Sequence, residues 1–187
     1  MILPFSTKLN GKETLFVERI TKSLLEYAPT SEAMSMYKIP RKALYSYPFK
    51  IMFGLNGKHH TIRIDKNKRW KEGNLIHPII NNRSSSQIQF APTIKCISTQ
   101  SFLFKIAEVK KVKSGKHYYW DGVTGKIFAV EIRVGSKKLS TGAIRVLALN
   151  DGFNSTKSFI EYFASTALKA PGKVFKGKII HWTDLKY

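Results

Sequence analysis

The chain has 187 residues, of which 43% are hydrophobic and 12% aromatic, enough apolar surface for one folded domain and too much for a disordered tail. Lys and Arg total 32 against 12 Asp and Glu, a formal charge of +20, which points to a polyanionic partner, with nucleic acid first and an anionic membrane or acidic protein as alternatives. The single cysteine, Cys96, excludes an internal disulfide and cannot build a zinc site alone, and no stretch approaches the ~18 apolar residues of a membrane span.

Taken in chain order, MILPFS reads as a short first strand. The next segment, 13–27, places Phe16, Ile20 and Leu24 at four-residue steps, with Val17 and Leu25 widening the stripe, so it predicts an amphipathic helix. Pro29 ends it. Residues 28–53 are punctuated by Pro29, Pro40 and Pro48 and carry no clean period, which predicts an insertion or long loop inside a single 1–187 domain.

From His60 the pattern turns strand-like. HTIRI places Thr61 and Arg63 on one face, and NLIHPII, SQIQFAP, CISTQSFLFKIAEV, KIFAVEIRV and the closing KGKIIHWTDLKY follow as further strands. The dipeptides in WDGVTGK suit turns. Two helices interrupt the strands. The first has Ser140 or Thr141 as its N-cap and Gly152 where a left-handed C-terminal cap would fall, and the second has Asn154 or Ser155 as its cap and buries Phe159, Ile160 and Phe163. The expected class is α+β, with one helix early, two late, and a sheet or small barrel between them.

The basic residues recur through folded segments. Residues 54–75 carry six Lys or Arg, 105–117 five lysines, and the last nineteen residues five more. In DKNKRWKEGN, Lys66, Lys68, Arg69 and Lys71 surround Trp70, the pattern of phosphate contacts around a stacking platform in single-stranded nucleic-acid binders; a solvated loop with Trp70 on the core edge is the alternative. No phosphate-binding glycine loop, zinc-type histidine pair on a helix, or GxSxG turn is present, so no metal or cofactor is expected. His59 and His60 are adjacent, and neighbours on a strand face opposite ways, which makes them a poor chelate.

The set with chemical reach is Lys58, Thr61 and Arg63 in GKHHTIR, with an acid far downstream at Asp151. A lysine near a fixed arginine has its neutral form favoured and could deprotonate a hydroxyl; the same groups, charged, would hold a phosphate. Asp151 lies at a helix C-terminus, where the dipole disfavours it, although Asn150-Asp151-Gly152 is also ordinary turn chemistry.

GKHHTIR, RWKEG, ALNDGFNSTKSFIEYF and KIIHWTDLKY, in that order, resemble the ASCH domain of the PUA-like superfamily, in a branch found in phages and bacteria. The resemblance covers most of the chain outside 28–53. It implies a small β-barrel flanked by helices, with a basic cleft for RNA or a nucleoside. The lone cysteine fits a reducing, cytoplasmic compartment, that of the host for a phage-encoded chain. Family members that act as acetylcytidine amidohydrolases use a Lys, a Thr three residues on, and a downstream Glu, which correspond here to Lys58, Thr61 and Asp151, one carbon shorter than the family's acid. Arg63 and His59 would then contact substrate. Asn74 stands where an Asp is common, and the length and charge of the chain point away from a free nucleoside. Three functions follow as expectations: an RNA-binding module first, a hydrolase of RNA or a modified nucleoside second, and a phage structural or interaction protein third.

Overall fold

The computed structural model describes residues 1–9, 11–27, 54–110, 118–121 and 126–187. The expected insertion at 28–53, the lysines at 111–116 and the glycine turn at 122–125 lie outside the described residues.

Twelve strands and three α-helices are present among the described residues, an α+β architecture. In chain order they are β1 (Ile2–Pro4), β2 (Lys8–Leu9), β3 (Lys12–Glu13), α1 (Phe16–Tyr27), β4 (His60–Arg63), β5 (Leu75–Ile80), β6 (Ile88–Gln89), β7 (Ile94–Lys95), β8 (Ser98–Val109), β9 (Tyr118–Asp121), β10 (Ile127–Val134), β11 (Lys137–Lys138), α2 (Thr141–Asn150), α3 (Thr156–Leu168) and β12 (Val174–His181). The expected first helix begins three residues late because Lys12–Glu13 pairs with Lys8–Leu9 as a small hairpin. The Thr14 hydroxyl then accepts from the Phe16 N–H at 3.3 Å, satisfying one free donor at the start of α1.

The larger sheet is antiparallel, in the order β11-β10-β8-β12-β4, with β9 also on β10. The long β8 organises it. Phe102–Val109 pair with β10, while Ser98–Lys105 pair with β12 on the other side. That offset between neighbours staggers the strands and curls the sheet into a half-barrel. A smaller sheet sets β1 parallel to β5, with β6 and β7 antiparallel to β5.

Each late helix is capped by the hydroxyl the sequence offers. Ser140 accepts from the Ala143 N–H, and Ser155 accepts from the Ser158 N–H. α2 and α3 cover one face of the curled sheet, burying Phe159 and Phe163 against Phe102, Phe104 and Phe175. α1 and β1 form a second core with Trp70, Ile76, Phe90 and Trp182. The two cores meet along β12, where Ile179 belongs to the first and Ile180 to the second. β4 is the edge strand beside it, paired so that Ile62 faces Ile179 and Thr61 faces Ile180.

Candidate functional site

The segment 57–59 is stitched between two helices before it enters β4. The Lys58 N–H donates to the Arg19 carbonyl of α1 at 2.9 Å, and the His59 N–H donates to the Asn150 carbonyl of α2 at 2.8 Å. This carries the Lys58 side chain inward, where only 1% of the residue is exposed. Its ammonium donates to the Asp151 carboxylate Oδ1 at 2.6 Å and to the Asp151 backbone carbonyl. It also lies 4.6 Å from the centre of the Phe16 ring, a cation–π contact.

That contact explains how an acid is tolerated where α2 ends. The ammonium satisfies a helix-terminal carbonyl and offsets the negative end of the dipole with the same charge that pairs the carboxylate. The Asp151 carboxylate also accepts from the Ile62 backbone N–H, so it covers part of the free edge of β4. The chain then turns at Gly152, whose φ of +83° suits glycine. A Cβ at this position would sit 3.1 Å from Lys58 Cδ and 3.2 Å from Phe16 Cε1, so the turn also needs the space.

Lys58, Thr61, Arg63 and Asp151 line one cleft of about 50 Å³, walled by Phe16, Phe153 and Tyr162. A larger hollow of about 180 Å³ shares Leu9, Phe16, Phe153 and Tyr162 with it and adds Lys12, Asn154 and Glu161. The inner cleft therefore admits a small group, and the outer one a larger body attached to it. The Thr61 hydroxyl makes no hydrogen bond among the described residues. Arg63 is partly committed: it donates to the Pro4 carbonyl at 2.6 Å and stacks 5.3 Å from the Phe5 ring.

Burial works against both charges of the central pair. It brings the Lys58 ammonium down to about 8 against the pull of Asp151, with Arg63 and Arg19 adding to the fall. It raises the Asp151 carboxyl above the ordinary range against Lys58, Arg63 and the Ile62 N–H. A buried pair in which neither member gains fully from ionisation is suited to passing a proton.

Two expected site residues are placed differently. Trp70 is buried at 5% exposure in the second core and cannot serve as an exposed stacking platform. Asp65 causes this: its carboxylate accepts from the Arg69 and Trp70 N–H groups and pairs with Lys178 at 3.0 Å, folding the loop so the indole turns inward. Lys66, Lys68, Arg69 and Lys71 remain exposed around it. His59 packs against α1, with Nε2 3.9 Å from Glu26 and its ring 5.7 Å from Tyr27, and it is not part of the cleft lining.

Residues that spacing did not single out surround the pair. Arg19, buried on α1, donates to the Asn56 carbonyl at 3.0 Å and to the Asn154 side chain. His60, also fully buried, has Nδ1 3.6 Å from Asp151 Oδ1 and Nε2 2.7 Å from the Tyr187 hydroxyl. The only sequence signal for Arg19 is a charge within an amphipathic helix, and His60 lies inside GKHHTIR with no spacing of its own to mark it. Among the described residues no group of three metal-ligating side chains occurs, and no helix is long and apolar enough to cross a membrane.

No known protein family, curated protein or solved structure matches this chain.

Proposed function

We propose that the chain is an ASCH-like hydrolase that removes an acyl group from a modified base carried by RNA, with Lys58, Thr61 and Asp151 as its reaction centre. One observation carries this reading. A fully buried lysine, brought down to about 8, shares a cleft with a carboxylate it touches and a threonine hydroxyl that no other described residue holds.

In the reacting state Lys58 is neutral. Its Nζ takes the Thr61 proton as Thr61 Oγ1 bonds to the carbonyl carbon, and Arg63 and the remaining positive charge of the cleft stabilise the oxyanion. When the C–N bond breaks, the Lys58 ammonium returns that proton to the leaving nitrogen. A water, deprotonated by Lys58, then cleaves the threonine ester; its proton returns to Thr61 and a carboxylic acid leaves. Asp151, as the carboxylate, holds the ammonium in line each time it forms. The inner cleft suits a small acyl group, and the outer hollow gives the base room beside Phe16, Phe153 and Tyr162.

The test is incubation of purified protein with N4-acetylcytidine, free and within a single-stranded RNA, with acetate release as the readout. Lys58→Ala and Thr61→Ala should each lower the rate by at least ~10²-fold. Intact substrate in both forms after a long incubation with the wild-type protein would remove the hydrolase reading.

A second reading, an RNA-binding PUA-like module, is favoured by the exposed Lys66, Lys68, Arg69 and Lys71 on the loop that Asp65 closes. Under it, Lys58–Asp151 is a structural pin. Single-stranded RNA affinity would then fall with salt by a log–log slope of ~0.7 for each phosphate contact, and neutralising the four side chains would flatten that slope.

A further inference from the structure

Beside Asp151 lies a partly buried chain of polar groups that the reaction as written does not use. Asn150 Nδ2 donates to the Tyr187 hydroxyl oxygen at 3.0 Å. That hydroxyl lies 2.7 Å from His60 Nε2. His60 Nδ1 faces Asp151 Oδ1 at 3.6 Å and has no hydrogen-bond partner among the described residues. Tyr187 is fixed in turn by Gln100, which donates to its carbonyl at 3.0 Å and accepts from its N–H at 3.2 Å.

The donors set the direction of this chain. An amide NH₂ can only donate, so Tyr187 Oη accepts from Asn150 and its own proton goes to His60 Nε2. A neutral imidazole that accepts at Nε2 carries its proton on Nδ1, the nitrogen aimed at Asp151. His60 is kept neutral by its surroundings: burial, with His181 of β12, Lys58 and His59 close by, holds it well below the ordinary histidine range. The groups facing its ring are the neutral His181 at 5.3 Å between ring centres, Tyr187 at 5.3 Å, and the Lys58–Asp151 pair. Lys186 lies toward His181.

We infer that His60 is a positioning residue for Asp151, held by Tyr187 and Asn150 in the Nδ1–H form so that it presents a further donor to the carboxylate oxygen that Lys58 pairs. At 3.6 Å the bond is not made while the ammonium is in place. The donor matters when Lys58 is neutral. An ionised Asp151 buried without its cation is costly, and without further donors the pair would settle as neutral amine and protonated acid. Approach of the His60 Nδ1–H, together with the Ile62 N–H, keeps the carboxylate ionised in that state. Its part in turnover rests on the hydrolase reading; the hydrogen-bond direction does not.

The test is NMR on the full chain with ¹⁵N-labelled histidine and lysine. In the wild type the His60 proton should reside on Nδ1, and Tyr187→Phe should shift the ring toward the Nε2–H form. His60→Gln, which puts its donor where Nε2 was, leaves the carboxylate beside a neutral Lys58 less supported and should lower the Lys58 acid dissociation constant by about tenfold, one unit of pKa. His60→Asn, with a donor at the Nδ1 position, should move it much less. A wild-type proton on Nε2, a ring indifferent to Tyr187→Phe, or equal Lys58 titration in the Asn and Gln variants would each overturn the inference. Tyr187→Phe removes a single hydroxyl, so the relay remains testable if the His60 variants do not fold. None of these readouts requires turnover, so absence of acyl hydrolysis would count against the proposed function alone.

Discussion

Lys58 Nζ lies 2.6 Å from Asp151 Oδ1 with both side chains almost completely withdrawn from water. The contact joins the entry to β4 to the exit of α2. Its energetics are those of mutual dependence. Either charge alone would be a buried, uncompensated ion.

Lys58→Met and Asp151→Asn should therefore each cost ~3–5 kcal/mol of unfolding free energy. The double variant should lose clearly less than the sum of the two. Urea unfolding of all four proteins closes the cycle, and the coupling is its output. Additive losses would mean that the pair contributes no interaction of its own.

Gly152→Ala should destabilise more than Gly135→Ala, although both glycines have positive φ, +83° and +61°. At Gly135 a methyl group meets nothing within 4 Å, so the cost is backbone alone, ~1 kcal/mol. At Gly152 the methyl also crowds Lys58 and Phe16, and the loss should reach ~2–4 kcal/mol. Thermal melting of the two variants side by side gives the comparison, and the Gly152 variant should in addition lose whatever activity Lys58 supports.

The buried histidines give the stability a defined pH dependence. Burial lowers His181 from 6.5 to about 4, so between those values the unfolded chain binds a proton that the folded chain does not. Stability supplied by the neutral ring is complete above pH 6.5 and is lost as pH falls toward about 4, with His60 acting in the same direction. The raised carboxyl of Asp151 opposes this, because its folded form holds a proton longer. The comparison of wild type with His181→Gln isolates the histidine: the slope of unfolding free energy against pH between 4 and 6.5 should be shallower in the variant.

Much of the frame was legible in the sequence, for stated reasons. Apolar periods placed α1, α2, α3 and the long strands, and Ser140, Ser155 and Gly152 fell where capping chemistry needs them. Lys58, Thr61, Arg63 and Asp151 line one cleft, a convergence that the spacing of the two stretches left open. Other features depend on partners far away in the chain. Trp70 is surrounded by charges in sequence, yet Asp65 and Lys178 close the loop and send it inward. His59 and His60 are neighbours with opposite fates, and only the pairing of β4 with β12 reveals which one faces the acid. Tyr187 is 127 residues from His60, and no local pattern couples them.

β12 is the backbone that both interiors have in common, since Ile179 fills one and the very next residue, Ile180, fills the other. Sliding this strand by a single position would exchange their occupants and turn Lys178 toward the apolar side at the same time. The molecule consequently has no spare half: neither interior can loosen while the other persists, and heat should release both in one transition. Over evolutionary time, gains and losses of residues have to fall outside this strand, which serves as the ruler against which the rest of the chain is measured.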